Sequence, residues 1–186
     1  MKPLTRKRSG LLLVGILLIG GLIAAAGYSY WVFVDHRFYT VTEGLVYRSG
    51  AMPLDTLQNK ISRYGIKAVI DLRKTMDEVA AEHTALTQMG VKHFSLPTGQ
   101  VPTEKTVKAF FEIMDDRENR PVLIHCHHGE GRAVLFAAIY RIEYEGWSND
   151  DARQASRLIL YRSGFSLSSR KGKFLLNYVP RSRIAN

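Results

Sequence analysis

With a single cysteine, Cys126, the chain cannot build a disulfide framework, and its one thiol has no partner within the sequence. Acid is missing from both ends: all seventeen Asp and Glu lie between residues 35 and 151, beside fourteen Lys and Arg. Four bases (Lys2, Arg6, Lys7, Arg8) precede that stretch, and eight more follow it in residues 152–186. The net charge of +9 on 186 residues therefore comes from the two ends, around a slightly acidic middle. No aromatic-basic interleaving and no nucleic-acid motif accompanies it, so DNA and RNA are not expected partners. Metal-ligand spacing is also lacking. His83 and His93 are not spaced as co-ligands and His127-His128 are adjacent, so no metal is expected. There is no internal repeat and no low-complexity tract.

Charge is absent altogether from Ser9 to Val34. "GLLLVGILLIGGLIAAAGYSYWVFV" would extend about 39 Å from Ser9 as a helix, more than the ~30 Å of a bilayer core. Tyr28, Tyr30 and Trp31 stand at its far end, where interfacial aromatics belong. The basic stub keeps to the cytoplasm under the positive-inside rule. The expected layout is a cytoplasmic stub over 1–9, a transmembrane signal anchor over 10–34 and one folded domain over 35–186. That domain would lie outside the cytoplasm, in the periplasm of a Gram-negative cell. Ala24-Ala25-Ala26 offers a signal-peptide cleavage site as the alternative, which would leave a soluble periplasmic domain. The apolar run continuing past Ala26 favours the anchor.

The remaining ~150 residues suffice for one domain with a core. Leu45–Arg48, Ile66–Leu72, Val91–Leu96 and Pro121–Ile124 read as strands, the last wholly apolar and so buried. Between them, helices are expected from Pro53 to Gly65, over 76–89, and from an N-cap at Thr103 through Val107, Phe110, Phe111 and Met114. "RAVLFAAIYRIEYEG" is apolar nearly all round, as for a helix through the core. Ser148 caps a further helix with Ala152, Ala155, Leu158 and Ile159 facing inward, and a last one covers 168–178. Strands alternating with helices predict an α/β fold with a central, mostly parallel sheet flanked by helices.

"HCHHGEGRAV" (125–134) joins the buried strand to the core helix. The loop His127-His128-Gly129-Glu130-Gly131 would point backbone N–H groups inward at a helix N-terminus, a cradle for an anion. Two glycines let the backbone curl close, and Arg132 offers a planar fork to two oxygens of one phosphate. A thiol on the floor of this cradle feels the same positive field, which favours its thiolate. Thiolate below and phosphate above suit in-line attack on phosphorus and a phosphocysteine later cleaved by water.

His-Cys-(five residues)-Arg after an apolar strand resembles the signature of cysteine-dependent protein tyrosine and dual-specificity phosphatases. "GLVYRSGAMP" (44–53), "YGIKAVIDLR" (64–73) and "YRIEYEGWSNDDA" (140–152) extend the likeness to the compact bacterial, plant and fungal atypical dual-specificity group, over roughly 39–162. The resemblance implies Cys126 as nucleophile and Arg132 as phosphate clamp. It also implies loop amides from residues 127–131 and a loop-orienting His125, with no cofactor.

Two positions depart from that pattern. The family usually has Ser or Thr after the arginine, where the hydroxyl supports departure of the thiolate; here Ala133-Val134 follow. Slightly slower breakdown of the phosphoenzyme is the favoured reading, with harmless helix packing as the alternative. The family also places an aspartic acid about 27–34 residues before the cysteine to protonate the leaving oxygen. That window, "KHFSLPTG" (92–99), holds no acid, which leaves Glu130 and Glu104 as candidates. The alternative reading of Glu130 is a rim residue that tunes loop charge, and that of Glu104 a first-turn acid serving the helix dipole. Arg48 and Arg73 read as ion-pair anchors, Asp115 and Asp116 as a solvated turn. Three functions follow from the resemblance: a membrane-anchored phosphatase acting on phosphotyrosine or phosphoserine/threonine proteins, the same chemistry on a phospholipid or inositol phosphate, and a low-turnover phosphate-binding pseudophosphatase. The basic stretch Arg170-Lys171-Gly172-Lys173 would attract phosphate-rich or membrane substrates, or simply be a solvated face.

Overall fold

The computed structural model describes residues 4–74, 77–157 and 164–184. Its contacts divide the chain into two compact units, Met1–His36 and Arg37–Asn186. The first consists of helix α1 (Leu4–Phe33). Within it Gly10–Phe33 is long and apolar enough to cross a membrane, a test that a signal sequence also passes. From Leu11 to Ile23, Leu and Ile are exposed on all its sides, so this described stretch of α1 has no polar face to turn to water.

The second unit is built on five strands: β1 (Tyr39–Thr42), β2 (Val46–Gly50), β3 (Ala68–Asp71), β4 (Lys92–Ser95) and β5 (Val122–Cys126). Their order is β1-β2-β5-β3-β4, antiparallel between β1 and β2 and parallel elsewhere. This is the expected α/β class with a mostly parallel sheet. Helices α2 (Leu54–Tyr64), α3 (Asp77–Gln88), α4 (Glu104–Asp115), α5 (Arg132–Tyr144), α6 (Asn149–Ala155), α7 (Arg170–Leu176) and α8 (Arg181–Ile184) follow in chain order.

Side-chain alternation along the strands divides the core in two. Ala68 and Ile70 of β3 and Val122, Ile124 and Cys126 of β5 share a cluster with α4 and α5. Val69 of β3, Leu123 of β5 and Tyr47 of β2 face the other way, toward Leu57 and Ile61 of α2 and Leu86 of α3. The α4 stripe is the expected one, with Val107, Phe110, Phe111 and Met114 all buried. Thr103 Oγ1 accepts the Thr106 N–H at its start, 3.2 Å away. Helix α5 is buried from Ala133 through Tyr140 with no polar side until its end, and Phe136 meets Phe110 edge-on at 5.0 Å.

The differences from the sequence reading lie at ends. Strand β5 runs on through His125 and Cys126, because Gly50 of β2 and Asp71 of β3 supply paired backbone in register. Strand β1 had no apolar alternation to announce it; it is an edge strand with side chains half exposed. Ser148 Oγ does accept the Asp151 N–H, but α6 ends at Ala155. Leu158 and Ile159 lie outside the described residues, as does the first residue of the helix expected from 76.

Candidate active site

Cys126 ends β5 and Arg132 begins α5, so the five residues between them turn the chain from a central strand into a core helix. Partners outside the loop pull on its carbonyls. Ala51 N–H donates to His127 O at 3.1 Å, Arg37 Nη1 to His128 O at 3.1 Å and Arg48 Nη1 to Gly129 O at 3.2 Å. A trans peptide points its C=O and N–H in opposite directions. The N–H groups of His128, Gly129 and Glu130 therefore face away from these partners, into the concavity of the loop. That is the arrangement an anion needs.

Gly129 is where glycine is indispensable. Its φ is +71°, and a Cβ there would lie 2.5 Å from Gly50 N and 2.9 Å from Ser49 C. The loop thus packs backbone against backbone on the end of β2. At Gly131 φ is negative, −119°, and a Cβ would meet the ends of two side chains, Lys171 Nζ at 2.9 Å and Gln100 Oε1 at 3.4 Å.

Two cations stand at the rim beside the thiol. Arg132 is held by Nη1, which donates to Leu72 O at 2.6 Å and reaches Thr98 O at 3.4 Å. This fixes one arm of the guanidinium and aims the plane. Lys171, from the first turn of α7, donates to Gln100 Oε1 at 3.0 Å. Burial lowers its pKa, partly countered by Cys126 and Glu130 and reinforced by Arg132. Cys126 itself is 2% exposed, and His127 and His128 stand exposed with their rings edge to face.

Each of the two carboxylate candidates has its own setting. Glu130 forms an ion pair with Arg37, beside the loop. Glu104 opens α4 and lines a groove with Val101, Pro102, Phe111 and Phe174. The segment between β4 and α4, where a family aspartate is expected, does reach the site. It presents Thr98 O to Arg132 and Gln100 to Lys171, and carries no acid before Glu104.

Behind the loop lies a buried charged cluster. His125 shares its face of β5 with Leu123 and so points away from Cys126, toward Asp71 of β3 and Glu82 of α3. Arg73 grips both Asp71 oxygens at 2.7–3.0 Å and Glu82 Oε2 at 2.7 Å. His93 of β4 completes the group, 3.5 Å from Glu82. Burial would raise the Glu82 pKa, but the His125 and His93 rings and Arg73 outweigh it and hold it at about 2. Asp71 is driven well below the usual carboxylate range by the same balance, burial against His93 and Arg73. His93 is pushed up to about 9, because the two carboxylates overcome its burial. Arg73 is thus the ion-pair anchor expected of it. Arg48 instead holds the loop carbonyl and stacks over Tyr39 at 4.6 Å, and burial lowers its pKa to about 10.

Arg37, Gln100 and Glu82 have places here that the sequence reading did not assign. Glu82 left a trace: it sits between Val79 and Leu86 on the buried stripe of α3, where a charge calls for a partner. Arg37 and Gln100 left none.

Comparison with known proteins gives these features a context. The family described as a DSP-PTPase phosphatase fused to NAD+ kinase matches residues 33–170. A curated relative, the dual specificity protein phosphatase TpbA of Pseudomonas aeruginosa strain UCBPP-PA14, is 30% identical over 162 residues. That alignment spans 82% of this chain and 69% of TpbA. The crystal structure of P. aeruginosa TpbA, which has also been crystallised with pTyr, superposes with a TM-score of 0.64 at 25% identity. It covers 83% of this chain and 92% of that one. The catalytic core of the S. cerevisiae PP-IP phosphatase SIW14 gives 0.62 at 22% identity, over 80% and 90% of the two chains. At that identity the likeness is one of fold.

Proposed function

Since the chain belongs to the cysteine-dependent, dual-specificity-type phosphatase family, we propose that it hydrolyses phosphomonoesters on Cys126. The observation that carries this is the loop itself: a thiol at the end of β5, three carbonyls turned outward, and Arg132 tethered at the rim. Phosphate oxygens would take the inward N–H groups of residues 127–131 and the free arm of Arg132. The Cys126 sulfur attacks phosphorus, the P–O bond to the leaving group breaks, and the leaving oxygen takes up a proton. Water then cleaves the S–P bond, releasing inorganic phosphate and the thiolate. Glu130 is the nearest acid within the loop, though its pairing with Arg37 favours a role in holding the loop. Substrates with good leaving groups need no acid, and others can supply their own proton. Ala133 is fully buried in the core cluster, which supports the packing reading of that position.

For the substrate, a phosphotyrosine or phosphoserine/threonine protein is the leading reading, supported by TpbA and its pTyr complex. The second reading is a phospholipid or inositol phosphate. Lys171 favours it as a second cation beside Arg132, as does the apolar groove of Val101, Pro102, Phe111 and Phe174 rimmed by Arg170 and Lys173. Residues 10–34 would anchor the enzyme, with 35–186 as a phosphatase domain across the membrane from the basic stub. Side-by-side turnover of phosphotyrosine peptides, phosphatidylglycerophosphate and inositol phosphates separates the readings. A protein phosphatase acts fastest on the peptides and is indifferent to Lys171→Met. A lipid or inositol phosphate enzyme prefers those compounds and loses that preference in the variant. Failure to turn over any of them, or an aryl phosphate, would leave a pseudophosphatase.

A further inference from the structure

The buried cluster behind the loop brings four potential metal ligands to one point. Asp71, Glu82, His93 and His125 each offer one ligand atom, and these atoms all lie within 4.8 Å of one another. The four side chains are between 0% and 3% exposed. The closest approaches are 2.9 Å from His125 to Glu82 and 3.5 Å from His93 to Glu82. His125 lies 3.7 Å from Asp71, and His93 3.8 Å. None of these is aligned as a hydrogen bond: Glu82 Oε1, His93 Nε2 and His125 Nε2 are buried with no partner. Three buried polar atoms aimed at one point, held by charge but by no aligned hydrogen bond, would gain from an occupant that all of them can bind.

We propose that Asp71, Glu82, His93 and His125 bind one divalent cation of the zinc class. With Zn–N and Zn–O bonds of about 2.0–2.1 Å, ligand atoms at the corners of a tetrahedron stand roughly 3.3–3.4 Å apart. The two distances to Glu82 Oε1, 2.9 Å from His125 and 3.5 Å from His93, bracket that length, and Asp71 comes close behind with Oδ1 3.7 Å from His125 and Oδ2 3.8 Å from His93. Two imidazoles and two carboxylates suit zinc better than calcium or magnesium, which prefer oxygen alone. The surroundings match what metal ligands need outside their bonds. Arg73 donates to Glu82 Oε2, leaving Oε1 free, and steadies both Asp71 oxygens. Nδ1 of His93 lies 3.2 Å from Nδ1 of His83, and with His93 as the donor of that contact its Nε2 would be free for the cation. Sequence spacing gives no hint of the site, because β3, α3, β4 and β5 each contribute one ligand.

His125 and Cys126 point to opposite faces of β5, so the cation would touch no reacting atom. It would pin the strand end that carries the thiol, with His125 as a positioning residue. The test uses the full-length Cys126→Ser chain in detergent, stripped with a chelator and titrated with Co2+; the substitution removes the one thiolate that could compete. The visible bands of tetrahedral Co2+ should saturate at one equivalent, without a thiolate charge-transfer band. His93→Gln and Glu82→Gln, added separately and checked for folding by circular dichroism, should each weaken binding at least tenfold. Absence of a tetrahedral spectrum in the parent chain would overturn the proposal whatever the variants do. So would a spectrum unchanged by a folded His93→Gln. Phosphatase activity enters none of these readouts, so the result is independent of the proposed function.

Discussion

The two sides of the β5 terminus handle charge in opposite ways. On the Cys126 side, the N–H groups of the loop, Arg132 and Lys171 gather positive charge around an opening, with no carboxylate but Glu130 at the edge. On the His125 side, two carboxylates, Arg73 and two histidines are sealed beneath α3, each sign beside its opposite. An excess of one sign is what a site for an anion needs, and it is tolerable because the rim is open to water. Compensation is what buried charge needs. The rim should therefore govern turnover and the buried cluster stability.

Breaking the buried side should have the largest effect. Glu82→Ala strands Arg73 and both histidines, and should cost about 3–5 kcal/mol in urea unfolding. The residual folded fraction should keep an aryl phosphate KM near that of the wild type. A loss below about 1 kcal/mol would show that the cluster does not support the fold. In the chelator-stripped chain, where no cation holds the imidazoles neutral, the same groups set a pH profile. Glu82, lowered from 4.5 to about 2, stabilises fully above 4.5 and loses that contribution as pH falls through 2. His93, raised from 6.5 to about 9, stabilises fully below 6.5 and loses its contribution as pH rises through 9. Together they predict a stability plateau between 4.5 and 6.5 that declines on both sides and flattens in Glu82→Ala.

Gly129→Ala should come next, because it strikes both sides. The left-handed backbone costs about 1–2 kcal/mol and the clash with Gly50 a further 1–3 kcal/mol, read as a lower melting temperature together with lost turnover. Arg132→Lys sharpens the contrast: it keeps the charge and loses the fork. It should lower kcat/KM by about 10²-fold while moving stability by less than about 1 kcal/mol. Equal damage to stability would place Arg132 among the structural arginines. The smallest effect belongs to Gly131→Ala, within about 0.5 kcal/mol, since only the side-chain ends of Lys171 and Gln100 stand in the way.

Much of this was readable from the chain because it is local. The strand–loop–helix unit around Cys126, the stripe of α4, the N-caps at Thr103 and Ser148 and the all-apolar α5 each announce themselves within a dozen residues. The loop also follows a pattern whose spacing encodes its geometry. What escaped depends on distance in sequence. Arg37 holds His128 O across 91 residues, and Arg48 holds Gly129 O across 81. Lys171 reaches Gln100 across 71. Its basic stretch was visible, but which lysine turns to the site depends on how α7 packs. The cluster of Asp71, Glu82, His93 and His125 exists only because parallel strands align their odd residues, and no spacing along the chain expresses that. Edge strand β1 was missed for the opposite reason, having too few buried side chains to leave an alternation.

The central claim is that phosphate passes through Cys126. Rapid acid quench of the enzyme with an aryl phosphate, followed by mass spectrometry of the peptide carrying residues 125–132, measures this directly. The account predicts a phosphoryl group on Cys126 during turnover. In Cys126→Ser no phosphocysteine should form, and steady-state activity should fall by at least about 10³-fold. Undiminished turnover by Cys126→Ser, or a phosphoryl group found on His127 or His128 instead, would contradict it.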